Sequence, residues 1–393
     1  MENKNIARVD ALDVLRGLVI VLMALDHIRD FWAITPFAPE DVSQTTPGWF
    51  FTRWITHFCA PIFVFLAGMG AYLYGQKVGD LRRLSRFLFT RGLWLIVLEF
   101  TAINLSWMFE WPWNEGFMFG QVIWVIGMSM VLMAALVRLP LAWIAGIGIA
   151  LIAGHNLLDG VTPESWGSLG WLWKFLHIGF AWIPLNAQQS FGFLVVYPLI
   201  PWVGVMAAGY ATGPVMRWEA ARRQTWLLRA GLALILLFIA LRAGNWYGDP
   251  VDWAPQSRGP VYSLLSFLNV AKYPPSLLFL CMTLGPGFLL LVLFERWKSP
   301  LTDFFQVYGR VPFFFYVIHF SLLHASARLY YYLTKGWHVD FFSNGPQQWP
   351  EGYTPNLTLA YIVWFLFIPL MYFPCYWYGK YKFTHRHWWL KYL

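Results

Sequence analysis

The sequence predicts an all-α, polytopic membrane protein of about ten transmembrane helices, with residues 1–393 forming a single domain. Three observations carry this. Of the 393 residues, 58% are hydrophobic, 20% aromatic and only 12% charged, a composition that leaves no room for a separate soluble domain. Ten apolar stretches of spanning length can be read at 12–33, 50–75, 88–108, 117–137, 140–157, 190–211, 226–243, 273–295, 304–330 and 356–378. The net charge of +8 is concentrated in the loops at one end of those spans.

The charge distribution fixes the expected topology. Arg82, Arg83 and Arg86, then Arg138, then Arg217, Arg222 and Arg223, then Arg296 and Lys298, and finally Lys380, Lys382, Arg386 and Lys391 fall in loops or ends on one side. The positive-inside rule makes that side, and both termini, cytoplasmic. The basic excess is thus accounted for by topology, and no nucleic acid is implied. The opposite loops are rich in Trp, including Trp111 and Trp113, Trp166 to Trp182, Trp246 to Trp253 and Trp337 to Trp349, as expected of interfacial anchors. The stretch 165–185 is apolar, but Lys174, His177 and Pro184 interrupt it, so it reads as an interfacial helix.

The first span is the unusual one. Arg16, Asp26, His27, Arg29 and Asp30 lie in a segment that lipid would otherwise require to be apolar. At 100° and 1.5 Å per residue, the eleven steps from Arg16 to His27 return to within roughly 20° of one face, about 16 Å apart. Asp26 and Asp30 flank that face. The arrangement suits a long ligand with an anionic head and a reactive tip; a cluster of ion pairs that only holds helices together is the competing reading. The first span has no small-residue cleavage site and reads as a retained helix, not a secretory signal.

In the second span Arg53 and His57 are four apart, and the short outer loop makes spans one and two neighbours, so His57 is expected near Asp26, His27 and Asp30. Glu99, Asn104 and Gln121 are further polar groups within spans. A buried carboxylate such as Glu99 calls for a cation or hydrogen-bond donors. The ninth span carries Arg310 near its cytoplasmic end and His319 about 13 Å deeper, repeating the pattern of Arg16 and His27. Asp26, His27, His57, Glu99 and His319 are expected to face one internal cavity, since each is costly in lipid.

Cys59, Cys281 and Cys375 all sit in apolar runs, which indicates packing residues and neither a disulfide framework nor a thiolate metal site. No spacing fixes two metal ligands on one helix among His27, His57 and His319, so no metal is expected. Phosphate-binding loops, dinucleotide fingerprints and serine elbows are missing from the sequence.

Several stretches carry a resemblance: Leu12-Asp13-Val-Leu-Arg16-Gly17 with Met23 and His27, Thr56-His57-Phe-Cys-Ala-Pro61, Tyr197-Pro-Leu-Ile-Pro201-Trp202, Lys272-Tyr-Pro-Pro-Ser276-Leu277 and Gly309-Arg310-Val-Pro312 to His319. Over nearly the whole chain these resemble bacterial membrane proteins related to the heparan-alpha-glucosaminide N-acetyltransferase catalytic domain. The Arg-Gly start with a His eleven residues after the Arg also resembles the first helix of the larger membrane acyltransferase family that modifies bacterial surface sugars. By that second resemblance His27 inherits the catalytic role. The chain departs from the heparan enzyme in having no His from 28 to 56 and in carrying His27 where that enzyme's first helix has Asn.

The resemblance implies a multi-pass protein of a bacterial inner membrane that takes acetyl-CoA from the cytoplasm and delivers the acyl group to a glycan or other envelope acceptor. Within it, His27 would act as base or nucleophile beside Asp26, Asp30, His57 and His319, while Arg16 and Arg310 would hold the phosphates of the acyl-CoA. The expected partners are acyl-CoA, the acceptor and the lipid bilayer, with self-association left open. A proton-coupled transporter or permease is the rival class, because intramembrane Asp, His and Arg serve it equally well. Paired halves with interrupted helices, which a transporter would favour, are not apparent.

Overall fold

The computed structural model describes residues 10–111, 116–385, 387 and 390. The expected anchor Trp113, and Arg386 and Lys391 of the basic C-terminal end, lie outside the described residues. Each of the ten expected segments falls on a helix. In chain order these are α1 (Asp10–Trp32), α2 (Pro47–Thr56), α3 (Cys59–Val78), α4 (Leu81–Leu98), α5 (Asn104–Met108), α6 (Val122–Leu136) and α7 (Leu141–Gly154). After them come α8 (Gly170–His177), α9 (Leu199–Thr212), α10 (Ala220–Gly244), α11 (Pro260–Leu268), α12 (Leu277–Arg296), α13 (Pro300–Arg310), α14 (Pro312–Lys335) and α15 (Leu357–Thr384).

Seven helical stretches among the described residues are long and apolar enough to cross a membrane: 47–78, 81–108, 141–158, 199–217, 220–244, 277–296 and 357–384. The other expected spans miss that standard for readable reasons. Helix α1 carries too much charge, α6 has only 15 residues, and the ninth span is broken into the 11-residue α13 and the 24-residue α14, which is long enough but carries His319, His324 and Arg328. The break falls at Val311, whose backbone (φ −132°, ψ 46°) is not helical, and Pro312 opens the next helix because it has no N–H to give to the turn before it.

Two further departures from regular spans follow from local sequence. The second span is two helices meeting at His57 and Phe58, with Pro61 in the first turn of α3. Expected spans 117–137 and 190–211 both begin as strands. Phe117–Gly120 (β1) pairs in parallel with Gly192–Val195 (β3), and Ala181–Pro184 (β2) pairs antiparallel with β3, in the order β1-β3-β2. The all-α expectation therefore holds apart from one small sheet. The stretch 165–185 is part turn, part the short helix α8 and part β2, and forms no eleventh span.

Close approach of helices is a matter of glycine. Reciprocal pairs Gly17/Gly309, Gly68/Gly209, Gly92/Gly127, Gly148/Gly204 and Gly231/Gly285 sit where α1 meets α13, α3 meets α9, α4 meets α6, α7 meets α9 and α10 meets α12. A Cβ at either member would run into backbone or packed side chains of the facing helix. Between membrane helices, where lipid tails remove the hydrophobic drive, such backbone contact supplies much of the attraction. Helix α1 is central. It packs against α2, α3, α12, α13, α14 and α15 and is buried over most of its length, so its charged residues face protein.

Candidate active site

Helices α1 and α14 bring two of the expected residues into direct contact. His27 Nδ1 lies 2.7 Å from His319 Nε2, joining residues 292 apart in the chain. The network assigns the protons. His319 Nδ1 faces only carbonyl oxygens of its own helix, Phe315 at 3.0 Å and Tyr316 at 2.7 Å, so Nδ1 carries the hydrogen and Nε2 is the acceptor. His27 Nδ1–H must then donate to His319. That leaves His27 Nε2 with a lone pair and no hydrogen-bond partner among the described residues.

The surroundings hold this pair still. His319 is fully buried, whereas His27 is partly exposed, so His27 is the ring a reactant reaches. Phe320 packs 4.2 Å from the His27 ring, and Trp107 meets it edge-on at 5.5 Å. Phe315 stacks on His319 at 4.9 Å. Aromatic walls of this kind fix ring orientation and exclude water.

The carboxylates do different work from the one expected of them. Asp26 accepts from Arg53 at 2.9 and 2.8 Å and from Thr56 Oγ1 at 2.9 Å, and it forms an ion pair with Arg29 at 2.9 Å. Asp30 pairs with Arg29 at 2.6 Å, and Glu40, from the loop after α1, reaches Arg53 at 3.7 Å. Two arginines thus meet three carboxylates in a buried network tying α1 to α2. Neither Asp26 nor Asp30 hydrogen-bonds His27, and the group that orients His27 is His319. Glu40 lies outside the spans. Its burial raises the carboxyl pKa, but Arg53 and then Arg29 outweigh this and hold it below the ordinary value.

His57 is buried at the junction of α2 and α3, its ring 5.4 Å from that of Phe279, and neither ring nitrogen has a hydrogen-bond partner. It makes no bond to His27. Glu99 is fully buried in a π-helical turn (Glu99–Ile103) between α4 and α5. It accepts from the backbone N–H groups of Gln121 (3.3 Å) and Trp124 (3.0 Å), so its partners are the free donors at the start of α6 and not a cation. Of the five groups expected to share a cavity, only His27 and His319 touch.

Arg16 and Arg310 do converge. Arg16 donates to Asp13 at 3.0 Å and to the Gly309 carbonyl at 3.1 Å, which seats it beside the residue preceding Arg310. Both arginines line one cavity of about 380 Å³, together with Arg91 and Lys382. The same cavity is walled by Met23 and Tyr316, which stand one helical turn before His27 and His319 respectively. A space with four cationic side chains on its wall therefore extends to within about 6 Å of helical rise of the histidine pair. Arg91 was not singled out by sequence, and Lys382 was read only as topology. Basic residues near helix ends read as topology, and only the fold separates those that line a cavity.

Comparison with known protein families finds a match. The model for heparan-alpha-glucosaminide N-acetyltransferase, catalytic, matches residues 8–243, well over half of the chain. The chain belongs to this family. The matched region includes His27, His57 and the ion-pair network, and ends before the helices that carry Arg310 and His319. No curated protein matches the chain. With its apolar helices, it is a membrane protein of a family named for an N-acetyltransferase.

Proposed function

We propose that this heparan-alpha-glucosaminide N-acetyltransferase family member transfers an acetyl group from acetyl-CoA to an amine or hydroxyl of a glycan across a bacterial inner membrane, with ten crossings and both termini cytoplasmic. The observation that carries the proposal is the His27–His319 pair, with a free lone pair on His27 Nε2, set one helical turn beyond a cavity walled by Arg16, Arg91, Arg310 and Lys382.

CoA is anionic at its nucleotide end and neutral and flexible along its pantetheine arm. Guanidinium groups suit the phosphates, and the apolar remainder of the cavity suits the arm. The thioester then lies near His27. His27 Nε2 takes a proton from the acceptor amine or hydroxyl as its lone pair attacks the thioester carbon, the C–S bond breaks, and CoA thiolate leaves with that proton returned to sulfur. His319 accepts the His27 Nδ1–H bond throughout and stabilises the imidazolium that forms. An acyl-histidine route uses the same nitrogen as nucleophile. The residues closest to the chemistry lie on two packed helices, α1 and α14, and are walled by aromatic rings, so reactive geometry is built into rigid elements.

The test is purified protein with acetyl-labelled acetyl-CoA and glucosamine, in detergent and in vesicles. Transfer of label to the amine with release of free CoA supports the proposal. Vectorial uptake of an intact solute without thioester cleavage would replace it with a transporter.

A further inference from the structure

We propose that His155, Asp159 and His177 form a binding site for one divalent transition metal ion of the zinc class, separate from the histidine pair of the candidate active site. One ligand atom from each lies within 4.8 Å of the others.

The site is built by local structure. Helix α7 ends at Gly154, and a 3-10 turn over His155–Leu158 sets His155 and Asp159 four residues apart on one side. His177 closes α8 and swings against that turn. His155 Nδ1 and His177 Nε2 are 3.2 Å apart, and His177 Nε2 is 3.8 Å from Asp159 Oδ1. The second distance is too long for a hydrogen bond. Both distances bracket the edge of a tetrahedron, since two ligands about 2.0–2.1 Å from zinc stand roughly 3.3–3.4 Å apart. Two imidazoles and a carboxylate are a ligand set that zinc and its neighbours prefer, whereas magnesium and calcium take oxygens.

Supporting groups hold the ligands in place. Trp173 stacks on the His177 ring at 5.0 Å and 17°, and is itself tied by its indole N–H to the Val161 carbonyl. Asn156 Nδ2 donates to Asp159 Oδ2 at 2.8 Å, which leaves Oδ1 as the oxygen turned toward His177. Such bonds behind the ligands are what fix metal geometry. His155 and His177 are 1% and 2% exposed, while Asp159 borders a polar cavity of about 190 Å³ that also holds Asp249 and Asp252. That cavity, which Arg242 also lines, opens the Asp159 side of the cluster to an entering ion.

Without metal the histidines do not satisfy one another. His177 Nε2 meets both His155 Nδ1 and the His155 carbonyl, at 3.2 and 3.1 Å, and has one hydrogen for the two. His155 Nε2 is buried with no hydrogen-bond partner. A metal takes both facing lone pairs once the His177 proton sits on Nδ1. It would clamp the end of α7 onto α8, ordering the stretch that precedes β2.

The experiment uses the full-length protein, purified without an affinity histidine tag, stripped with chelator and titrated with Zn²⁺ and Co²⁺. We expect one metal equivalent per chain retained through desalting, a visible tetrahedral Co²⁺ spectrum, and a rise in Tm on adding Zn²⁺. Asp159→Asn, which keeps the size and the Asn156 contact, and His177→Ala should each weaken binding at least tenfold. His27→Ala should bind metal as the parent does. Failure of the parent to retain metal, or equal retention by Asp159→Asn and His177→Ala with a metal-free Tm unchanged from the parent, overturns the proposal.

Discussion

Replacing His319 by Leu isolates the one contact on which the candidate chemistry depends. Leu fills a similar volume at this fully buried position and suits the helix, but it offers His27 Nδ1–H nothing to donate to across the present 2.7 Å. A buried donor left without a partner costs about 1–3 kcal/mol. His27 escapes that cost by moving its proton to Nε2, and in that tautomer it is no longer a base toward the acceptor. The productive form is then disfavoured by the same amount, so kcat should fall about 5- to 150-fold while the KM for acetyl-CoA stays near the parent value. His27→Ala removes the base itself, and the expected loss is about 10²- to 10⁴-fold.

The assay is initial-rate release of CoA thiol from acetyl-CoA with glucosamine as acceptor, beside thermal unfolding of each variant. Because His319 acts through His27, the double variant should be no slower than His27→Ala alone. Rescue belongs in the same series: His319→Gln can present a side-chain oxygen to Nδ1–H and should recover part of the rate lost in His319→Leu. A His319→Leu enzyme with parental kcat, or a double variant whose loss is the product of the two single losses, would refute the assignment of His319 as the group that positions His27.

Four other outcomes are expected. Arg16→Ala and Arg310→Ala should each raise the KM for acetyl-CoA about tenfold, worth ~1.4 kcal/mol, with kcat little changed, since a phosphate contact persists through the reaction; parental KM in both would remove these residues from the donor site. Gly309→Ala should lower Tm, because its Cβ would stand 1.8 Å from the Asp13 carbonyl oxygen, and overpacking against backbone costs about 1–3 kcal/mol or more; an unchanged Tm would mean that α1 and α13 separate freely. With Cys59, Cys281 and Cys375 all buried, an engineered Arg82→Cys should be the main labelled thiol and should react only with reagents that reach the cytoplasmic face; labelling from outside intact cells would reverse the topology. Asp340 is raised in pKa by burial but lowered further by the hydrogen bond from His324 at 2.8 Å, and a depressed carboxyl stabilises the fold above its unfolded value near ~3.9 and loses that as pH falls through the folded one. Between pH 5 and 3 the parent should therefore lose more Tm than Asp340→Asn, and parallel losses would show that the bond to His324 contributes nothing.

How much of this was legible in the sequence depends on how local each signal is. Charge inside an apolar run is local, and it singled out α1, Arg16 and His27 directly. The matching spacing in the ninth span likewise pointed to Arg310 and His319, and the packing of α14 against α1 brings His319 to His27. The break at Val311 was written in Gly309 and Pro312 but read through, because Phe304, Phe305 and Val307 before it and Phe313, Phe314 and Phe315 after it continue the apolar run. The partners of Asp26 were not legible. Arg53 sits four residues from His57, yet its guanidinium turns to Asp26 on another helix, where charge neutralisation is worth more than proximity to an imidazole. The sheet escaped for a different reason: its strands are four residues long, and β1 is separated from the other two strands by three helices and sixty or more residues.

The two readings offered for the charged first span turn out to apply to different residues of it. Asp26, Arg29 and Asp30 belong to an ion-pair network that extends to Arg53 and Glu40 and ties α1 to α2. His27 stands outside that network, next in sequence to Asp26 but about 100° further round the helix, and so faces α14 instead of α2. The ring hydrogen bond of His27 is to an imidazole and not to a carboxylate, so the group that orients it adds no formal negative charge beside the ring. A buried aspartate in place of His319 would hold an imidazolium tightly once formed and slow its release of the proton, whereas a histidine acceptor orients the ring without adding a charge. For a base that must take a proton from the acceptor and return it to a thiolate in each turnover, a neutral partner behind the ring serves both steps.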